Sequence, residues 1–259
     1  KQGGNPGHGN IVVERLYNDA LLTEHDTLRV GKILTPLGDW NTVFASPLVP
    51  TITRPDTTAE GFETNMSGFD WMRDLQDWGT SDTQLYWQPD YEWFERLPRE
   101  TLRHFQRVFG GHINKPSGLI DKVGASFQHG ELNETGEQYT VFGVNVIQSF
   151  GNLMLESEAI TSRFSGTVLP WAPPRLHSHE SGVFGLADYS FTPSWHGILE
   201  AEYYQDHLVG PASRNTLIGI DYKPRAYMVW KFEYVHQSGT PTSFSPILTG
   251  LNCSFSTLF

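Results

Sequence analysis

Segments of about ten residues in which apolar and polar side chains alternate recur along most of this chain. In NTLIGIDYKP (215–224), Ile218 and Ile220 share one face, whereas Asp221 and Lys223 share the other. A repeat of two residues is that of a β-strand, because successive side chains point to opposite faces. About ten residues is also the length with which a tilted strand crosses a lipid bilayer. The chain is therefore predicted to be all-β, with strands long enough to cross a membrane.

The connections between these segments alternate in length. Those around 149–151, 193–195 and 224–225 are tight, whereas 165–180 and 238–247 are long. Short turns at one rim and long loops at the other are typical of an outer-membrane β-barrel with antiparallel strands. We predict strands near 10–22, 27–36, 60–72, 82–93, 101–112, 119–130, 137–148, 152–164, 181–191, 196–206, 214–223, 226–237 and 248–258.

The composition agrees with a membrane barrel. Hydrophobic residues make up 38% of the chain and aromatic residues 13%. Few aliphatic and many aromatic side chains are expected where aromatic girdles lie at two membrane interfaces and half of each strand faces a polar lumen. An aromatic-rich secreted sandwich is the alternative. The net charge of −11 argues against a nucleic-acid partner, because phosphate binding requires a basic face.

Charged side chains on the strands are expected to face a lumen. On the lipid side a basic residue near the midplane would cost roughly 2–4 kcal/mol, and an acid less. Apolar residues such as Ile218, Phe232 and Leu251 are then directed into lipid. More acids than bases on the opposite faces predict a modest cation preference, although each of these residues could simply solvate a water-filled wall. The predicted pore-lining residues on these faces are Glu156, Glu158, Glu200, Glu202, Asp221, Lys231 and Glu233.

A basic run interrupts this acidic pattern. In WFERLPRETLRHFQRVFGG (93–111), arginines recur at steps of three and four residues, which also fits a helix. We favour a strand, on which Arg99, Arg103 and Arg107 share one face. Directed inward, these three would also line the pore, opposite the acidic wall. They could equally pair with glutamates and brace the barrel.

Stretches near both ends resemble a known group of proteins. LRVGKILTPLGDWN (28–41), followed by SPLVPTITRP (46–55), resembles the early strand and inward-turning segment of large Gram-negative porin-like barrels, the phosphate-selective and substrate-specific porins. VWKFEYVHQSG (229–239) and LNCSFSTLF (251–259) resemble that group's last two strands. The terminal Phe259 resembles the signal read by the machinery that inserts barrels into the outer membrane.

The resemblance implies a protein of the bacterial outer membrane that contacts lipid and lets small polar solutes or ions diffuse. It implies no enzyme activity, no cofactor and no metal. A homo-oligomer or a partner protein is compatible with it. The acids on the best-defined strands depart from a phosphate-selective porin, where lysines would be wanted. Phosphate specificity is therefore not carried over.

One segment is a poor strand. Residues 37–56 contain or adjoin Pro36, Pro47, Pro50 and Pro55, and proline lacks the donor that a closed ladder requires. We expect 37–56 to fold inward or over one mouth of a single barrel domain, residues 1–259, and to narrow the path.

The strand count is odd. Thirteen strands are predicted, whereas bacterial single-chain barrels normally have an even number. We expect about fourteen strands, within a range of twelve to sixteen, with one strand before residue 1 as the simplest explanation. A strand gained or lost within 73–100 is the alternative.

Two other classes of function remain open from the sequence. Glu200 and Glu202 share a strand face and could serve a secreted β-sandwich glycoside hydrolase, since two carboxylates suffice for that chemistry. A structural barrel could also scaffold a partner protein. HSHES (177–181) is a weak candidate for a metal site, and Ser194 with His196 is a nominal lipase pair.

Overall fold

The chain folds into one antiparallel β-sheet in a computed structural model that describes residues 13, 15–43, 47–75, 81–90, 105–133, 136–166, 178–206, 211–242, 247 and 249–257. A short helix, α1 (Asp56–Ala59), lies between the second and third strands. Within these residues no helix is long and apolar enough to cross a membrane. The strands are β1 (Leu16–Leu21), β2 (Asp26–Leu34), β3 (Asn65–Leu75), β4 (Ser81–Gln88), β5 (Phe105–Lys115), β6 (Lys122–Leu132), β7 (Gln138–Phe150), β8 (Leu153–Ser165), β9 (His179–Thr192), β10 (Trp195–Gln205), β11 (Ser213–Arg225), β12 (Met228–Gly239) and β13 (Gly250–Thr257).

Each strand pairs with its neighbours in sequence, from β1 to β13. Tight turns join β7 to β8, β9 to β10 and β11 to β12, at 151–152, 193–194 and 226–227. The longer connections lie at the opposite edge, as predicted. All thirteen predicted strands overlap an observed one. Within the described residues β1 and β13 do not pair with each other, so the sheet is not closed there. The expected even strand number remains a prediction.

The two faces of the sheet separate by polarity, which confirms the predicted alternation. The outward apolar side chains are solvent-accessible in the isolated chain: Ile218 is 62% exposed and Leu251 is 84% exposed. Phe232, Trp230 and Phe255 lie on the same outer face. An apolar outer face on ten-residue strands is suited to hydrocarbon rather than water.

Aromatic pairs lie near the tight turns. Trp195 stacks on Tyr222 with ring centroids 4.6 Å apart. Trp230 and Phe255 lie 4.5 Å apart on neighbouring strands. Aromatic rings at one rim are typical of the girdle at a membrane interface.

The inner face is largely covered. Its buried apolar residues include Phe184, Leu186 and Leu217 on β9 and β11, which pack with Trp40 and Val49 from the connection between β2 and β3. Trp40 is 1% exposed and Val49 is 3% exposed. This connection, residues 35–64, is named the β2–β3 segment below.

Candidate functional site

The β2–β3 segment is bound to the inner face by carboxylates that each accept two consecutive backbone N–H groups. The first is Glu158 on β8, which accepts from the N–H of Asp39 at 2.5 Å and of Trp40 at 2.6 Å. Gly38, with φ +69°, makes the approach possible, because a Cβ there would lie 2.3 Å from Glu158 Oε2. The glycine of the PLG turn is thus explained by the close approach of this carboxylate.

Glu202 on β10 binds the start of α1. It accepts from the N–H of Asp56 at 3.0 Å and of Thr57 at 2.7 Å, and from the Thr57 hydroxyl at 2.7 Å. The amide of Asn215 on β11 donates to Glu202 at 3.0 Å and to Asp56 at 2.9 Å. All of these hydrogen bonds are buried, so each is screened little by water.

Glu233 on β12 forms the third contact of this kind. It accepts from the N–H of Ile52 and of Thr53, each at 2.9 Å, and also from the Thr53 hydroxyl. Next to it the Lys231 amine donates to the carbonyls of Val49 and Thr51, the latter at 3.2 Å. Strand β12 therefore binds the segment's backbone in two ways: Glu233 accepts from its N–H groups, and Lys231 donates to its carbonyls.

The prolines explain why these backbone groups need side-chain partners. Proline has no N–H and cannot join a ladder, so the chain around Pro50 and Pro55 runs without strand neighbours. Backbone polar groups that are buried outside regular structure must find other partners. The carboxyl oxygens of Glu158, Glu202 and Glu233 supply these partners.

The start of the segment makes a further set of polar contacts, through Asp39. Asp39 accepts from Lys122 on β6 at 2.5 Å and from Asn114 on β5 at 3.1 Å. Asn145 on β7 donates to Asn114 at 3.1 Å. Glu156 on β8 is 8% exposed and faces the same region. The segment is thus bound to strands from β5 to β12.

Two acidic side chains in this region are less well accommodated than Glu158, Glu202 and Glu233. Glu200 on β10 is 3% exposed, and its Oε2 accepts no hydrogen bond within the described residues. The carboxyl of Asp56 lies beside Glu202. Burial, with a further contribution from the Glu202 charge, raises the pKa of Asp56 to about 8, although the Asn215 hydrogen bond lowers it.

The remaining predicted residues are placed as follows. Asp221 on β11 is 2% exposed on the inner face and lies in register with Lys231. Arg107 has a positive φ of 52° beside a bulge of β5, and its exposed guanidinium lies 3.2 Å from Glu131. Arg107 shares the outer face with Phe109. Arg99 and Arg103 lie outside the described residues.

The sequence reasoning missed several residues of this site. The predicted pore-lining residues do not include Lys122, Asn215 or Asp39, although Lys122 and Asn215 occupy inward positions of alternating strands. That inward position is the sequence signal that points to them. Their partners in the segment could not be found from sequence, because the contacts join residues as distant as Asp39 and Lys122, 83 positions apart.

Two polar cavities lie on the other side of the segment, along β1–β6. The larger has a volume of about 400 Å³ and is lined by residues that include His112, Asn114 and Lys122. The smaller has about 90 Å³ and is lined by residues that include Arg29 and Asp70. Both cavities are also lined by Thr42 of the segment and Gln84 of β4.

The weaker candidates from sequence have ordinary partners. His196 lies 2.8 Å from Asp188 and 3.2 Å from Ser190, while Ser194 is joined to Thr192 through its backbone. His177 lies outside the described residues. No group of three or more His, Cys, Asp or Glu side chains arranged to hold a metal ion occurs within the part of the chain that the structure describes.

No protein-family model matches the chain, and no curated protein matches its sequence. Solved structures do match the fold. Outer-membrane expressed OmpT of Vibrio cholerae has a TM-score of 0.61 and 10% identity, over 90% of this chain and 75% of that one.

Two further solved structures give similar values. An anion-selective porin from Comamonas acidovorans matches with a TM-score of 0.61 and 10% identity, over 90% of this chain and 70% of that one. OmpF of Salmonella typhi, in a complex with daunomycin, matches with a TM-score of 0.61 and 11% identity, over 81% and 66%. The fold of this chain is that of a Gram-negative outer-membrane β-barrel, as predicted.

Proposed function

We propose that this chain is a channel of the bacterial outer membrane through which small polar solutes or ions diffuse, with the β2–β3 segment narrowing its lumen. The observation that carries the proposal is the binding of that segment across the inner face by Glu158, Glu202 and Glu233. A segment held across the lumen of a barrel sets the width of the path, and width and charge are what a channel needs for selection.

The outer face supports the same proposal. Its apolar side chains would contact outer-membrane lipid, while the inner face carries the charges. A porin-like fold makes diffusion the favoured function, and the similar structures include porins. One of the similar structures is a trimer form of Vibrio cholerae OmpT. We therefore propose that this chain also forms a homo-oligomer.

The inner wall carries more acids than bases, and we propose a modest cation preference for this reason. Glu156, Glu158, Glu200, Glu202, Asp221 and Glu233 face inward with Lys231.

We also propose that the chain is not an enzyme. A glycosidase needs its two carboxyl groups on either side of a substrate bond. Glu202 is instead occupied by the backbone of α1, and Glu200 is buried beside it. The positions of this pair therefore favour a channel over a hydrolase.

The direct test is conductance of the purified protein in a planar lipid bilayer, with reversal potentials measured in a salt gradient. We expect discrete channels that favour cations modestly, and a variant lacking residues 42–54 should conduct more. Heat-modified gel mobility before and after boiling controls for a folded barrel. A folded protein without channels would contradict the function, and an unchanged conductance of the deletion variant would place the segment outside the path.

A further inference from the structure

The walls on the two sides of the β2–β3 segment differ in how far solvent can reach them. Under the segment, Glu158, Glu200 and Glu233 are 2%, 3% and 4% exposed. On the other side, Lys122 keeps 35% of its side chain accessible, and Arg29 keeps 26%. A hydrated solute needs accessible polar wall, so the β8–β12 side is unsuited to passage.

The two polar cavities follow the accessible wall. The smaller cavity is lined by Arg29 and Asp70, on strands β2 and β3. The larger extends past His112 and Lys122 towards Asp74, near the β1–β2 turn. Because these strands run side by side, the two cavities lie one above the other along the direction in which the strands cross the membrane.

The place where the cavities meet is defined by a pair of side chains. Thr42 of the segment and Gln84 of β4 line both cavities. Gln84 Oε1 is buried, and within the described residues no donor reaches it. A buried oxygen without a partner is costly, so this side chain is poorly satisfied at the place where the two cavities meet.

We infer that solutes cross along β1–β6, through a neck formed by Thr42 and Gln84, and that this neck discriminates them by size. This inference rests on the proposed channel function and specifies where in the lumen the passage lies. Glu200, Glu202 and Glu233 then act on the path only through their field, because the segment lies between them and the solute.

The charges beside the neck indicate the class of solute. Arg29 is paired with Asp19 at 2.7 Å, and Lys122 with Asp39 at 2.5 Å. Asp70 adds a carboxylate whose Oδ1 has no partner within the described residues. Opposite charges along one passage orient a dipole, so the path suits small polar solutes that are neutral or carry both signs.

The test is cysteine substitution followed by modification with a charged methanethiosulfonate reagent during bilayer recording. The parent is Cys253→Ser, since Cys253 is the chain's one cysteine and is exposed. The probes are Thr42→Cys and Gln84→Cys. The control is Ser162→Cys. Ser162 lies on the inner face of β8, on the covered wall, and is 1% exposed.

We expect the reagent to lower the conductance of both probe variants by half or more, as a bulky group in a narrow neck should. The Ser162→Cys control should be unaffected. Gln84→Ala and Gln84→Trp extend the test without a reagent: the first should raise the conductance and the second should lower it.

The outcomes separate this inference from the proposed function. If the Cys253→Ser parent folds but forms no channel, the proposed function fails. If the parent conducts and the reagent leaves both probe variants unchanged, or acts on Ser162→Cys alone, the path does not follow β1–β6 and the inference is overturned.

Discussion

The inner wall formed by β8–β12 and the wall formed by β1–β6 both carry charged side chains, but they neutralise them differently. On β8–β12, Glu202 and Glu233 bind backbone N–H groups of the β2–β3 segment. On β1–β6, Arg29 binds Asp19 through two hydrogen bonds of 2.7 and 2.8 Å, and Lys122 binds Asp39. The first arrangement binds backbone groups of the segment under a covered wall. In the second, the charges are paired side chain to side chain, and Arg29 and Lys122 lie beside open cavities, although Lys122 also holds Asp39 of the segment.

An inward acid of a barrel strand can therefore serve a structural purpose. The alternation that directs Glu202 inward is the same for a pore-lining residue and for one that binds a segment. What separates them is whether backbone donors lie within reach. The following predictions test the distinction between the covered and the accessible wall.

The largest effect is expected from Glu202→Ala on the covered wall. The variant leaves the buried N–H groups of Asp56 and Thr57 without their acceptor. Since a buried donor that loses its partner costs about 1–3 kcal/mol, the free energy of unfolding should fall by roughly 3 kcal/mol. Urea unfolding in lipid vesicles, followed by tryptophan fluorescence, measures it. An unchanged midpoint would show that this carboxylate does not hold the segment.

Glu200→Gln is the matched comparison, two residues away on the same face of β10. Glu200 is buried, and its Oε2 lacks a partner within the described residues, so the neutral amide should unfold no more easily than the parent. A gain of about 1 kcal/mol is expected, because the amide cannot ionise and so cannot repel the neighbouring Glu202 and Glu233. The same urea series measures it, and a loss as large as that of Glu202→Ala would erase the distinction between these two acids.

A smaller effect is expected from pH. Since the pKa of Asp56 is raised to about 8, folding is favoured while this carboxyl keeps its proton. The contribution of this carboxyl to the free energy of unfolding is complete below the pKa of an unfolded aspartate, about 3.9. It is lost as the pH rises through about 8. The urea midpoint should therefore fall between about pH 5 and pH 9.

Asp56→Asn is the control for the pH effect, because the amide cannot ionise and keeps the shape of the side chain. Its urea midpoint should depend less on pH over the same range. If the parent and Asp56→Asn show the same pH profile, the contact between α1 and β10 is not the titrating element.

The smallest effect is expected for charge selectivity. Asp74→Asn on the accessible wall should shift the reversal potential by a few millivolts towards anions, because a charge beside the path acts on the solute directly. Glu233→Gln, under the segment, should shift it less. The reverse order would place the path along β8–β12.

Much of the fold could be predicted because strand alternation is local. In an outer-membrane barrel, lipid on one side of a strand and polar surroundings on the other impose a repeat of two residues, so each segment of the sequence reveals its own two faces. The strand positions and the outward direction of Ile218 and Leu251 follow from this rule. Arg107 shows its limit, because a bulge and a positive φ depend on the neighbouring strand, and the spacing of the arginines contains no sign of them.

Local sequence patterns predict an all-β barrel with apolar outer and charged inner faces, and the prolines identify the segment that could not be a strand. What the inner charges do depends on contacts that form only in the folded chain. Glu158 meets Asp39 across 119 positions, Glu202 meets Thr57 across 145, and Glu233 meets Ile52 across 181. Local patterns fix the direction in which a side chain points. Its partner depends on how the whole sheet curves around the segment, and no repeat in the sequence indicates which distant residues will meet.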